Sequence, residues 1–412
     1  MMKRKALEGL KVLEMGQLIA GPSAARLFAE FGAEVIKVEN PKNGDPIRNW
    51  RIVENGTSLW WYVQARNKKS ITLDLRQPEG QEMVHRLAEE VDIIIENFRP
   101  GTLEKWGIGY EQLKKINPRL IMVRISGYGQ DGPYRDKPGF GSIGEAMGGL
   151  RYLTGYPDRP PTRVGISIGD SISSLYAVIG ALMAVYNRDI AKSGEGQCVD
   201  VALYESVFSF MESMLPEYGH AGVIRERTGS TLPGITPSNT YMCKDGKFVV
   251  IGANGDGIFK RLMVTIGLPE FADDPRFESN KTRTDHAELL DKKIENWTKS
   301  LDLPEVLEKL DKAGVPAGSI YSIEDIVNDA HYQARGMIKE IEVEGIGKLM
   351  VPGVVPKLSE TPGEIEWAGP ELGQHDEEIF LQKLKLTEEQ IKLLKEKGII
   401  RNKDREEKTV KN

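Results

Sequence analysis

Short apolar runs alternate along the first 125 residues with stretches whose apolar positions recur every three to four residues. Lys11 to Met15, Glu34 to Glu39, Ile71 to Leu75, Val91 to Ile95 and Leu120 to Ile125 read as strands. Ala24 to Phe31, Pro78 to Glu90 and Tyr110 to Ile116 read as helices, the second with its proline in the first turn, where no backbone donor is lost. Strands taking turns with helices predict an α/β fold, a doubly wound and mostly parallel sheet covered on both faces. In such sheets ligands bind beyond the carboxyl ends of the strands. Ser171 to Tyr186 is apolar and rich in small residues, which predicts a helix buried on several sides; Gly194-Glu195-Gly196 then turns into a strand at Gln197 to Val201.

The pattern changes at Thr228 to Ser238, where Gly, Pro, Ser and Thr predict a linker into a second unit. That unit carries a strand at Lys247 to Ile251 and helices at Asp285 to Lys299 and Pro304 to Ala313, and Gly314 to Gly318 closes it. Strands at Ile338 to Val343 and Gly347 to Val351, a charged helix at Thr387 to Lys397 and a polar tail from Lys403 end the chain. At 412 residues the chain exceeds the roughly 250 to 300 at which single cores stop growing, so two domains are expected.

Composition narrows the function classes. With 40% hydrophobic and 28% charged residues, both signs interspersed, the chain reads as soluble and globular. A net charge of −6 offers no general field for a nucleic-acid backbone. Cys198 and Cys243 form neither a disulfide framework nor a metal-binding cluster, which fits a reducing, cytoplasmic setting and predicts no metal. Met1 to Lys5 is basic, but Ala6 to Lys11 interrupts any apolar leader, so no export signal is expected. The longest apolar stretch, Leu175 to Val185, is about half the ~20 residues a bilayer requires, and membrane insertion is not expected.

The candidate chemistry lies in Pro161 to Ser171. Gly165-x-Ser167-x-Gly169 has the spacing of a hydrolase nucleophile elbow, with His220, His331 and His375 as candidate bases. Three positions on, Asp170 offers a carboxylate that can attack an activated acyl group. A third reading makes the segment a turn, with Asp170 capping a helix that starts at Ser171. Gly139-x-Gly141-x-x-Gly144 matches a dinucleotide fingerprint by spacing but follows a polar loop where a strand is required, which favours a turn and close helix packing. Gly252 to Gly257 follows a strand but lacks the Lys-Ser/Thr of a phosphate loop, and reads as a turn or a substrate-side loop.

Several segments in order, from about Leu7 to Glu378, resemble family III CoA-transferases. They are Leu10 to Leu13 with Ala20-Gly21-Pro22, Gly32 to Glu39, Asn67 to Leu75, Glu96 to Gly101, Ser126 to Gly129, Gly169-Asp170 and Gly194 to Gln197. The resemblance places the nucleophile at Asp170 and makes Ser167 a turn residue. It implies CoA contacts at Ile19, Ala20, Asn40, Leu73, Asp74, Leu75, Arg76, Asn97, Phe98, Arg99 and Lys105. The cations would pair with phosphates, and Leu73 and Leu75 would flank the adenine. It further implies a Rossmann-like large domain from 1–227 and 323–412, a small α+β domain with connecting arms at 228–322, and an interlocked homodimer.

The racemase branch of the family carries a histidine near Gly139-Phe140-Gly141, where this chain has Phe140, which cannot carry a proton. The formyl-CoA branch carries a glycine run where this chain reads Leu232 to Pro237. Pro161 to Asp170 is most similar to the succinyl-CoA:dicarboxylate branch, so the expected reaction moves CoA from succinyl-CoA to a small dicarboxylic acid. Arg163, Arg225 and Arg227 are candidates for its second carboxylate. Acyl-CoA and a carboxylic acid are then the only small-molecule partners expected. A formyl-CoA/oxalate or carnitine-type transferase, an α-methylacyl-CoA racemase, a serine hydrolase and a non-catalytic acyl-CoA binder are the alternatives.

Overall fold

A computed structural model describes residues 4–402. The chain divides into two compact units, the first comprising residues up to 150, 165–212 and from 334 on, the second Arg151–Val164 and Ser213–Gln333. The boundaries read from sequence, 227/228 and 322/323, both fall inside this second unit.

The first unit is built on six parallel strands: β1 Lys11–Glu14, β2 Glu34–Glu39, β3 Lys68–Thr72, β4 Ile93–Glu96, β5 Ile121–Ser126 and β6 Cys198–Ala202. Their spatial order is β3-β2-β1-β4-β5-β6, with Val12 opposite both Val35 and Ile93. Successive strands run outward from β1 one way and from β4 the other, so the order reverses between β1 and β4. That reversal leaves a crevice at their carboxyl ends.

Both faces of the sheet are buried, as side-chain alternation in a covered parallel sheet requires. Leu13, Ile36, Ile71, Ile94 and Met122 face a helix at Pro78–Glu90 and the returning chain, including Ile391, Leu394 and Ile399. Val12, Val35, Ile93, Ile121 and Val123 face the helices α1 (Ala20–Glu30) and α3 (Ile168–Val185), which supply Ala24, Phe28, Ala177 and Ala181. Between them in sequence lies the short helix α2, Gly141–Met147. The hairpin of Ile338–Val343 and Gly347–Pro352 forms as read from sequence.

Several element boundaries differ from expectation, α1 starting at Ala20 instead of Ala24 among them, and β3 and α3 differ for a physical reason. Strand β3 starts at Lys68 and ends at Thr72, so Leu73 to Leu75 lie beyond it. Its opening lysines look like loop residues in sequence but are paired internally, Lys68 with Glu14 and Lys69 with Glu34 and Glu378. Helix α3 starts at Ile168, three residues early, because Ile168-Gly169-Asp170 already follows helical geometry with Ser167 at the N-cap.

A π-helical turn, Tyr186–Ile190, extends α3 into a 23-residue run that is long and apolar enough by composition to span a membrane. Its small residues pack on the sheet, while Leu175, Ile179, Met183 and Tyr186 are exposed. A run of that length exceeds the stretch apparent in the sequence because Ser171 to Ser174 interrupt the apolar pattern but not the helix.

The second unit holds an antiparallel sheet of Ser238–Met242, Phe248–Gly252 and Ala317–Ser319, the middle strand pairing with both others. Helices at Asp256–Thr265, Ala287–Thr298 and Leu303–Lys312 bury Phe259, Leu262, Leu290, Ile294, Val306 and Leu310 against Val249 and Ile251.

Candidate active site

The crevice between β1 and β4 has two lips. One is the turn Gly16 to Ile19 leading into α1, and the other is Asn97 to Arg99 beyond β4. Several backbone groups of the first lip are held by buried side chains. Lys37 Nζ donates to Gly16 O at 3.0 Å, and Asp45 accepts from Leu18 N at 3.0 Å. Gln64 Nε2 donates to Ile19 O at 3.2 Å. Leu18 has a φ of 65°, a left-handed geometry that a leucine adopts only when surrounding contacts impose it.

Beneath this turn lies a buried charge cluster. Lys37 Nζ is 2.7 Å from Glu14 and 2.8 Å from Asp45, and Lys68 Nζ is 2.7 Å from the other oxygen of Glu14. Burial opposes both lysine charges, but the surrounding carboxylates raise Lys37 above the usual lysine value, whereas Lys68 is pushed down to about 8. Asp45 is held below the ordinary carboxylate range, burial being overcome by Lys37 and by the N–H groups of Ile47 and Leu18.

Asp170 occupies the third position of α3 and is half-buried. Ser174, one turn on, donates 2.8 Å bonds toward both Asp170 O and Ala20 O, tying the start of α3 to the start of α1. The Asp170 carboxylate lies directly against Gly141: a Cβ there would fall 2.7 Å from Cγ and closer still to Oδ2. Gly127 and Gly139 meet almost backbone to backbone, and Gly144 sits on Leu203. The glycine pattern at 139–144 thus serves close packing, which brings the start of α2 onto the Asp170 carboxylate.

Gly141 has ordinary helical geometry, so alanine would by itself favour the helix. Its cost falls on Asp170. Gly141→Ala is expected to lower the transfer rate about 100-fold with an unchanged melting temperature, since a displacement of about 1 Å at a reacting group has that effect. Steady-state rates beside a thermal melt test this, and an unaltered rate would show that the carboxylate works from elsewhere.

The rival readings of this segment find no support in the geometry. The chain before Ser167 is irregular, whereas a nucleophile elbow needs a strand there. His375 accepts from Ser70 N at 3.1 Å on β3, at the sheet edge opposite β6, where α3 packs. Asp170 lies within the first turn, so it is not the cap of a helix starting at Ser171. Gly169 N–H is directed at buried Glu145, 3.5 Å away. Glu145 and Ser174 were not legible as site residues in sequence, because neither lies in a recognisable motif.

The expected CoA contacts separate into groups. Ile19 and Ala20 lie at the start of α1 in the crevice. Asn97, Phe98 and exposed Arg99 form the other lip, with Phe98 edge-on to Trp106, and Lys105 is exposed at the end of the turn Thr102–Lys105. Asn40 follows β2 and uses its side chain to accept from Lys42 N at 2.9 Å. Leu73 and Leu75 point into the core with Ile391 and Leu394, so their side chains do not flank a ligand; Arg76 is bound to Asp74 through both Nε and Nη2. Arg163, Arg225 and Arg227 all belong to the second unit. There Arg225 is engaged by Glu217, which it holds down to about 2, and by Ser213. Among the described residues no group of three or more His, Cys, Asp or Glu is placed to hold a metal ion.

Comparison with known proteins shows the family and the fold. A family model described as CoA-transferase family III matches residues 7–376. The chain is 53% identical to succinyl-CoA:D-citramalate CoA-transferase of Chloroflexus aurantiacus over 397 residues, covering 96% of this chain and 98% of that protein. It is 43% identical to the beta subunit of succinyl-CoA:L-malate CoA-transferase of the same organism, with coverages of 96% and 98%. A CAIB/BAIF family protein from Brucella suis has a solved structure that superposes with a TM-score of 0.80 at 36% identity, covering 92% of this chain and all of that one. The sheet that frames Asp170 is therefore that of an enzyme, and this chain belongs to CoA-transferase family III.

Proposed function

We propose that this protein moves CoA from succinyl-CoA to a small dicarboxylic acid, with a hydroxylated acceptor of the citramalate or malate type favoured by its relatives. The observation that carries the proposal is the half-buried carboxylate of Asp170, set against Gly141 and joined through Ser174 to the crevice lip at Ala20.

In this mechanism a carboxylate oxygen of Asp170 attacks the succinyl thioester carbonyl and expels CoA thiolate, leaving a mixed anhydride. The thiolate attacks the aspartyl carbonyl of that anhydride, releasing succinate and forming aspartyl-CoA thioester. The acceptor carboxylate attacks this thioester, again freeing thiolate, which then takes the acceptor acyl group and regenerates Asp170. No proton is gained or lost, so no histidine is required, in keeping with Phe140 beside Gly141. Each intermediate remains an activated acyl group, so exchange is reversible provided water is kept out.

The ligand would enter at the β1/β4 crevice, where Ile19, Ala20 and Asn97 to Arg99 lie, with Arg99, Lys105 and Arg76 meeting phosphates. Since Leu73 and Leu75 are core residues, the segment 73–76 would contribute backbone and the Arg76 side chain.

The proposal includes an interlocked homodimer. The exposed apolar face of α3, with Leu175, Ile179, Met183 and Tyr186, together with Phe208 and Phe210, offers a surface that a second copy would cover. A cytoplasmic setting suits the free thiols Cys198 and Cys243.

The test is a succinyl-CoA assay against mono- and dicarboxylic acids, read by mass spectrometry of the CoA esters. New dicarboxyl-CoA esters appearing only with acceptor present are expected. Free succinate and CoA formed without acceptor would indicate a hydrolase, and transfer to monocarboxylates alone would overturn the substrate class.

A further inference from the structure

The sequence resemblance makes Asn97 a CoA contact, but its side chain is already committed. Asn97 Oδ1 accepts from Gln17 N at 2.8 Å, and Nδ2 donates to Gln17 O at 2.8 Å. One amide thus satisfies both backbone groups of a single residue, in the manner of a β-ladder pair, across the point where strand order reverses. A Cβ on Gly16 would fall 3.3 Å from Asn97 Oδ1, so the glycine leaves room for the contact. We infer that Asn97 is a positioning residue that locks the two lips of the β1/β4 crevice together through the Gln17 peptide.

The lock has a consequence for turnover. β1 and β4 are paired only as far as Glu14 and Ile95, with Met15 N adding one bond to Ile95 O. Beyond that the lips diverge, and Asn97 is the bridge between them among the described residues. The turn it holds carries Leu18 in its left-handed geometry and leads into Ala20, which Ser174 ties to Asp170. Releasing Gln17 would therefore loosen the ligand-facing turn and its link to the carboxylate, while the core beneath stays packed. Charged groups near the lock are paired: Glu14, Lys37 and Asp45 below the turn, and Glu96 with Arg124 beside Asn97.

This inference rests on the proposed CoA site, and two readouts keep the two claims apart. In Asn97→Ala, hydrogen exchange at the Gln17 amide, read by mass spectrometry of the free protein, should quicken about tenfold, as the loss of its partly buried bond predicts. The KM for acyl-CoA should rise about 10- to 100-fold. In Asn97→Asp the carboxylate can still accept from Gln17 N but repels Gln17 O. At about pH 8 its KM should rise as in the alanine variant, and relative to wild type at each pH it should recover towards pH 5, where a protonated carboxyl can donate to Gln17 O.

Unchanged Gln17 exchange in Asn97→Ala, or a raised KM without faster exchange, would overturn the lock in favour of a direct ligand contact. Absence of acid recovery in a folded Asn97→Asp protein would overturn it as well. A wild-type protein that transfers CoA to nothing would defeat the proposed reaction, while the exchange result would still decide the lock.

Discussion

Asp170→Asn should abolish CoA transfer, by at least about 10⁴-fold, while leaving the protein folded and able to bind CoA. The amide matches the carboxylate in size, so it fits the space against Gly141 and keeps the backbone bond from Ser174. What it lacks is a nucleophilic oxygen. Wild-type protein mixed with succinyl-CoA should carry CoA on the peptide containing Asp170, seen as an added mass that hydroxylamine removes. The asparagine variant should show none, with its Kd for CoA within a few-fold of wild type. Ser167→Ala should retain full activity, because Ser167 lies at the cap position outside the helix. Normal turnover by Asp170→Asn would end the covalent mechanism proposed for this site.

Lys37→Met should cost about 3–5 kcal/mol of folding stability, the effect of breaking a buried ion pair from one side. Its ammonium lies between Glu14 and Asp45, both buried, and reaches Gly16 O as well. Without it, Glu14 keeps Lys68, but Asp45 keeps only the N–H groups of Leu18 and Ile47. Methionine fills similar volume, so the loss is electrostatic more than steric. Lys68 supplies a pH signature. Its folded value of about 8 lies below that of an exposed lysine, lowered by burial with Lys37 contributing. Between those values the unfolded chain holds a proton the folded protein has released, so this group's contribution to stability rises with pH across the window. Removing the Lys37 charge lets Lys68 keep its proton to higher pH, and part of that rise is lost. Urea midpoints of both proteins at about pH 7 and about pH 9 measure it; equal stability of the variant at neutral pH would refute the role given to the cluster.

The lysines of this cluster also mark the limit of what the sequence discloses. Periodicity located the sheet, because Val12, Val35, Ile93 and Ile121 form apolar runs whose neighbours are helical, and it located the central helix from its small residues. It lost the start of β3, since Lys68 and Lys69 look solvated until Glu14, Glu34 and Glu378, up to 309 positions away, are brought to them. Asp170 was read as the candidate nucleophile only by resemblance; local spacing left it level with Ser167 and a helix cap. Gly141 was visible as part of a glycine pattern, but its contact with Asp170 depends on helices 27 positions apart lying side by side, which no local pattern encodes. Asn97 was read as a site residue, but its pairing with Gln17 was not, because a side-chain amide that mimics a strand cannot be told in sequence from one that meets a ligand.

The first unit is completed by its own far end. Leu13 and Ile36 share a core with Leu394, Ile399 and Ile400, and Asp74 N is bonded to Ile399 O at 2.8 Å. During synthesis the early strands therefore emerge long before the residues that seal one of their faces, and the second unit, ending at Gln333, is translated in between. A ribosome paused after that point would hold a second unit with all its core residues made, and a sheet whose face under Pro78–Glu90 still lacks the returning chain. Such delayed closure prolongs the exposure of apolar surface to neighbouring chains. It also makes the last twenty or so described residues, which look like a dispensable charged tail, the step that commits the nascent enzyme to its fold.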